Sequence, residues 1–306
     1  MLTLFALPKP FVGHINIIQR NAINSWKLLQ PQCEIILFGN EEGTSDIANE
    51  IKAVHVPFID RNDFGTPLLN FVFQESQKIA KYDLLCFVNC DIIFLTDILL
   101  ATAYVKKLFH RFLIIGRCWD ITIDGLLRYE QPSWESSLRY LVRQRGSYRS
   151  LEAFDFFIFS KELFKNIPKF AIGRAYYDDW LIWKAHALKI PIIDVSSFAT
   201  VIHQKHDYSH LGGGLAEACM GEEAMENVRI GGSMSRVLYN IHDATHQLTI
   251  NGLRRNRFTK YQLHNLRLIR GRLWYRILDM TRPVRYALGL RSGILKKVIR
   301  NFSDQK

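Results

Sequence analysis

Leu84-Leu-Cys-Phe-Val88 runs directly into Asn89-Cys90-Asp91 and then Ile92-Ile93-Phe94. An unbroken apolar run of this length is what a strand covered on both faces requires. An Asp just past its end is costly to bury and therefore calls for a partner. The pattern repeats outward from this strand. Upstream, Leu2–Leu7, Glu34–Phe38 and Ala53–Ile59 read as strands, separated by helical stretches at Ile15–Leu29 and Ser45–Ile51. Pro67–Lys81 reads as a helix with proline in its first turn. Downstream, Phe112–Ile115, Phe154–Phe159, Ile192–Val195 and Ala199–Ile202 are further strands, and Asp179–Leu188 is a helix. The polar and aromatic stretch Gly125–Tyr148 reads as an irregular helix or loop. Strand and helix alternating at this spacing predict an α/β fold with a central, mostly parallel sheet flanked by helices. Ligands in such sheets bind outside the carboxyl ends of the strands.

Composition narrows the class. The 306 residues include 20 Phe, 12 Tyr and 6 Trp, ample material for a core, so whole-chain disorder is excluded. No apolar run approaches the roughly 18 residues of a membrane-spanning helix. Five scattered cysteines (Cys33, Cys86, Cys90, Cys118, Cys219) read as buried thiols in a reducing compartment. The net charge of +11 is unevenly spread: Arg254–Lys306 holds 15 Lys and Arg against two Asp, while the rest of the chain carries −2. A domain of residues 1–250 followed by a basic C-terminal extension, 251–306, is therefore expected, with the linker near Asn251–Thr259. In the extension, Leu263, Leu266, Ile269, Leu273, Ile277 and Met280 recur at helical steps among arginines; Pro283 ends the run and Ile294–Phe302 begins another. A basic amphipathic helix of this kind fits an anionic membrane surface. A helix packed on the body with a solvated basic face is the plainer alternative. Nucleic acid ranks last, because no nucleic-acid-binding motif accompanies the charge.

Three groups of residues can carry chemistry. Asp91, at a strand end, suits a hard divalent cation such as Mn²⁺ or Mg²⁺, or else caps the following turn. Asp178 and Asp179 open a helical pattern, where carboxylates either compensate the helix dipole or act as a general base. His203, His206 and His210 follow the late strand closely, a density that favours metal or phosphate binding over surface histidines. Gly212-Gly213-Gly214 has no Lys-Ser/Thr partner and reads as a loop, not a phosphate cradle.

Together these pieces resemble a GT-A glycosyltransferase of the nucleotide-sugar-dependent kind, which implies a Rossmann-like form of the α/β fold. Asn89-Cys90-Asp91 is similar to the DxD motif. Asp155–Phe159, Ile167–Arg174 and Asp178-Asp179-Trp180-Leu181 are similar to the acceptor-side half of bacterial members, and His203 to their late metal-ligand histidine. The resemblance spans roughly residues 1–250 and implies metal-assisted transfer of a sugar from a nucleotide diphosphate, UDP being the commonest, to an acceptor hydroxyl. It implies that Asp91, with His203 and His206, holds the metal, and that Asp178 or Asp179 is the base of an inverting displacement. Members often carry Asn where Asp179 stands, which favours Asp178. Asn89, Trp119, Asp120, Asp155, Arg174 and Trp180 would shape the donor and substrate sites. Asn89 replaces the first acid of the motif. The expected setting is cytoplasmic, peripheral on the inner membrane face, with a surface-glycan or lipid-linked acceptor. Two other readings compete: a metal-dependent nucleotidyltransferase or phosphohydrolase using Asp91 and the His203–His210 cluster, and a sugar-nucleotide-binding protein without activity. Product analysis separates them, since only a transferase leaves a sugar on an acceptor.

Overall fold

The computed structural model describes residues 1–206, 214–256 and 266–281. The expectations for His210, Gly212-Gly213, the stop at Pro283 and the run Ile294–Phe302 lie outside them. The first half comprises β1 (Thr3–Ala6), α1 (Gly13–Lys27), β2 (Glu34–Phe38), α2 (Thr44–Ile51), β3 (Val54–Val56), α3 (Leu69–Ile79) and β4 (Leu84–Val88). Then come β5 (Ile92–Phe94), α4 (Asp97–Leu108), β6 (Leu113–Ile115), β7 (Trp119–Ile121), α5 (Trp134–Arg145) and β8 (Ser147–Tyr148). The rest is β9 (Phe156–Ser160), α6 (Tyr177–Ala187), β10 (Ile192–Asp194), β11 (Val201–Gln204), α7 (Gly214–Met220), α8 (Glu222–Gly231), β12 (His246–Thr249), β13 (Gly252–Arg255) and α9 (Leu266–Met280).

The expected α/β architecture is present. Among the described residues, nine strands form one sheet in the order β3-β2-β1-β4-β9-β6-β10-β12-β13. It is mostly parallel; β9 runs against both β4 and β6, and β13 against β12. Side chains alternate across each strand. Leu84, Cys86 and Val88 therefore join Trp26, Ile47 and Ile98 on one face. Leu85 and Phe87 join Phe5, Phe73, Phe159 and Trp180 on the other. Helices cover both faces, which is why β4 has no polar position. Phe73 stacks on Phe159 with ring centroids 5.4 Å apart and meets Phe5 edge-on at 5.2 Å.

A second sheet of four strands, β5-β11-β7-β8, branches off where β4 ends. Its own small core contains Ile93, Ile121, Leu138, Val142 and Ile202. Part of that core comes from α5, an ordered helix within the stretch expected to be an irregular helix or loop; Leu138 and Val142, four residues apart, are its two buried positions. The late strand begins two residues later than its composition suggested, so His203 lies inside β11 and not beyond it. Within the stretch Asn251–Thr259 expected to hold the linker, Gly252–Arg255 pairs with His246–Thr249 as the sheet's edge hairpin. No helix among the described residues is long and apolar enough to cross a membrane.

Candidate active site

The small sheet brings distant residues into register. Strands β11 and β7 are parallel with His203 opposite Asp120, so the two side chains project from the same face. His203 Nδ1 lies 2.6 Å from Asp120 Oδ1. Asp91 occupies the turn between β4 and β5, a turn closed by the Ile92 amide donating to the Asn89 carbonyl at 3.1 Å. Gln204 holds this turn from β11: its backbone amide and its side-chain amide both donate to the Asp91 carbonyl, at 3.2 and 3.1 Å. Asp91 Oδ2 consequently stands 2.8 Å from His206 Nε2 and 3.6 Å from His203 Nε2.

Arg149 completes the cluster and has no signature in the sequence. It follows the two-residue strand β8, and its amide donates to the Cys118 carbonyl at 3.0 Å. Its Nη1 is 2.7 Å from both ring nitrogens of His203 and 3.6 Å from Asp120 Oδ1. Its Nε is 3.1 Å from Asp155 Oδ2, an ion-pair distance without hydrogen-bond alignment. Asp155 is buried and accepts a hydrogen bond from Asn89 Nδ2 at 3.2 Å. On the opposite face of β7, against the small sheet's own core and away from Asp120 and His203, Trp119 stacks on Tyr148 at 4.1 Å, and the Arg117 guanidinium lies 4.6 Å from the Tyr148 ring. The platform follows from register, since Trp119 pairs with Tyr148 across β7 and β8.

The electrostatics favour a cation. Three carboxylates, Asp91, Asp120 and Asp155, face one guanidinium. Burial alone would raise the Asp91 pKa, yet the neighbouring His203 and His206 hold it well below the usual carboxylate range. Burial likewise works against a charged His203, but the Asp91, Asp120 and Asp155 carboxylates together outweigh it and lift the imidazole to about 9. One ligand atom from each of Asp91, His203 and His206 falls within 4.8 Å of the others. Asp91 Oδ1 is buried without a hydrogen-bond partner among the described residues. A transition metal such as Mn²⁺ fits two imidazoles and a carboxylate better than Mg²⁺, which prefers oxygen ligands. Asp120 on His203 Nδ1 is the outer partner that turns Nε2 toward such an ion.

Asp178 and Asp179 both fall in the first turn of α6, which begins at Tyr177, two residues before the expected start at Asp179. The turn is entered through Tyr176 at φ 86°, a left-handed conformation that costs a non-glycine residue about 1–3 kcal/mol. Asp178 keeps part of its surface open while protein surrounds the rest. Burial pushes its pKa up to about 7 against the pull of the Asp178 and Asp179 amides, and Asp155 adds to the rise. Burial and the Asp178 charge push Asp179 further above the usual range, and its Oδ1 has no hydrogen-bond partner among the described residues. Of the two, Asp178 has the pKa of a base that works near neutral pH.

Two expected site residues are engaged elsewhere. Trp180 is a core residue; its indole donates to the Gly231 carbonyl at 3.2 Å and its ring meets Phe170 at 5.3 Å. Arg174 is paired with Glu223 at 2.6 Å, and Glu223 also accepts from Asn62 at 2.7 Å. Within α6, Trp180 shares its buried side with Tyr177 and Leu181, three residues before it and one after.

No family model and no curated protein sequence matches the chain. Among solved structures it is similar to residues 1–349 of TarS from S. aureus, at 14% identity and a TM-score of 0.46 over 66% of this chain and 60% of that one. The same TarS fragment in complex with UDP gives 13% and 0.48 over 75% and 64%. Glucosyl-3-phosphoglycerate synthase from Mycobacterium tuberculosis, in complex with Mg²⁺ and UDP, gives 13% and 0.44 over 78% and 80%. The chain thus spans about 60% of the first of these. At such identities and scores the likeness assigns no activity.

Proposed function

We propose that the protein is a GT-A-type glycosyltransferase that moves a sugar from a nucleoside diphosphate sugar, a UDP-sugar in the simplest case, to an acceptor hydroxyl with inversion. The observation that carries this reading is the convergence of Asp91, His203 and His206 on one point beside Asp120, Asp155 and Arg149. Sugar transfer from a diphosphate needs the leaving charge neutralised and the acceptor deprotonated. A Mn²⁺ held by Asp91, His203 and His206 supplies Lewis-acid stabilisation of the departing diphosphate when bound. Arg149 offers a fixed positive charge at the same place, with Asp155 and Asp120 limiting its movement. Asn89 is held by Asp155 and orients the donor. Asp178 takes the acceptor proton as the acceptor oxygen bonds to the anomeric carbon and the carbon–oxygen bond to the diphosphate breaks. Asp179, kept neutral, leaves the base uncontested.

The acceptor in this reading is a lipid-linked or growing surface glycan, met at the cytoplasmic membrane face, to which the basic C-terminal segment holds the protein. The segment's charge of +13 supports that placement. Melting temperature in the presence of UDP-, GDP-, CMP- and dTDP-sugars, with and without Mn²⁺, tests the donor half. A ligand that binds only the folded state raises the melting temperature by mass action. A metal-dependent rise with one nucleotide family, absent in Asp91→Ala, is expected. No rise with any donor, or an equal rise in the variant, overturns the assignment.

A further inference from the structure

The helix α9 is inside out by the standard of a soluble surface helix. Its docked side is polar and aromatic. Gly271 packs beside Leu238, and Tyr275 is only 6% exposed. Arg272 pairs with Asp243 and lies 3.8 Å over the Tyr239 ring. Its outward side is apolar: Leu273 is 54% exposed, Trp274 46%, Ile277 51% and Met280 81%. At about 100° per residue, these four fall within an arc of about 120°, and Gly271, Arg272 and Tyr275 lie on the opposite side. The inversion has a physical cause. Arg272 reaches a buried-side carboxylate and an aromatic ring, and together they fix the helix's rotation. Once that rotation is fixed, the apolar stripe has nowhere to turn but outward.

We infer that this stripe is the surface by which the protein lies on an anionic lipid membrane, with Trp274 and Ile277 entering the interface and the surrounding arginines meeting the headgroups. The inference rests on the membrane placement proposed above and names the face responsible. An exposed apolar arc containing a Trp, on a helix rich in arginine, is what an interfacial helix presents. Arg270 is exposed within the arc and Arg276 at its flank. A second copy of the chain is a poor occupant, because pairing through this face would bring two segments of +13 together. The docked Arg272–Asp243 pair also gives the membrane a rigid handle, since helix and catalytic domain then move together.

Co-sedimentation of the full chain with phosphatidylcholine vesicles, with and without phosphatidylglycerol, tests this against the double variant Trp274→Ser/Ile277→Ser. Both positions are exposed, so the melting temperature should not change. Expected is binding to the anionic vesicles only, weakened about tenfold or more in the double variant. Sugar transfer to a soluble acceptor should be unchanged in that variant. Equal binding by both proteins overturns the assignment of the face, either because charge alone attaches the segment or because other residues of the chain cover the stripe; membrane placement itself then stands. Failure of the parent to bind overturns both. A dimeric mass for the parent by light scattering, with a monomeric double variant, assigns the stripe to a second copy and overturns the lipid reading.

Discussion

The two sheets of this protein are built on opposite terms. The nine-stranded sheet is apolar on both faces, and its central strand, Leu84–Val88, contains no polar side chain at all. The four-stranded sheet is short and has a small core on one side; its other side carries Asp120 and His203, with Asp91, His206 and Arg149 at its margins. Apolar burial stabilises the first, and its central strand admits no charge. The second is held by register and by hydrogen bonds from Gln204 and can therefore present charged groups at fixed separations. Stability and the charged cluster are thus divided between neighbouring sheets that adjoin at the turn Asn89–Asp91, while the base Asp178 stands on α6 against the large sheet.

Substitutions should fall cleanly on one side or the other of that division. The largest effect is expected at the base. Asp178→Asn should lower kcat by about 10²- to 10⁴-fold with little change in donor binding. In the parent, kcat should rise with pH through about 7 as Asp178 ionises, and a steady-state profile checks this. The sign for stability is the reverse. The folded pKa is raised above the ordinary 3.8, so the folded state holds the proton more tightly and stability falls as pH rises from about 4 through about 7. Relative to the parent, Asp178→Asn should therefore melt higher at pH 8 than at pH 5. An unchanged difference between the two pH values would remove Asp178 from its raised state.

Next in size is a change that belongs wholly to the large sheet. Phe159→Ala deletes a fully buried ring stacked on Phe73 and should cost about 3–5 kcal/mol in urea denaturation. Transfer per folded molecule should remain. A loss of turnover in the folded fraction would show that the division is not clean. Smaller still, Asp120→Asn leaves the ligand set intact but removes the carboxylate that orients His203, and Mn²⁺ affinity measured by calorimetry should fall about 10- to 100-fold. The smallest effect is expected for Trp119→Ala, which removes one ring of the stack on the small sheet's core side and should cost about 0.5–1.5 kcal/mol in stacking, read by urea denaturation, with donor KM and kcat nearly kept.

The sites divide in the same way as to how legible they were. Leu84–Val88 announces itself, because five apolar residues between polar boundaries fit little else. Asp91 and the dense histidines stood out because their chemistry is expensive to leave unpartnered. The pairing of Asp120 with His203 did not, since it depends on which short strand lies beside which, 83 residues away in the chain. Arg149 was invisible: a single arginine after Ser147-Tyr148, in a stretch that reads as irregular, has no local pattern to mark it. Arg174 and Trp180 misled for the converse reason. They sit beside Gly173 and Asp178-Asp179 in sequence, yet side chains so close along a chain face different surroundings. Arg174 finds Glu223, and Trp180 turns into the core.

The sequence by itself determined the layered α/β architecture, the strand-end position of Asp91, the pair of acids at a helix start and the basic character of the C-terminal segment, because each follows from local periodicity or composition. Only the tertiary structure decided that His203 lies within a strand opposite Asp120, that Arg149 joins the cluster, that Asp178 titrates near 7, and that α9 turns its apolar side outward. Those properties arise from contacts between residues far apart in the chain, through cross-strand register, burial and the contacts of Arg272 with Asp243 and Tyr239, and none of them has a period that a sequence can display.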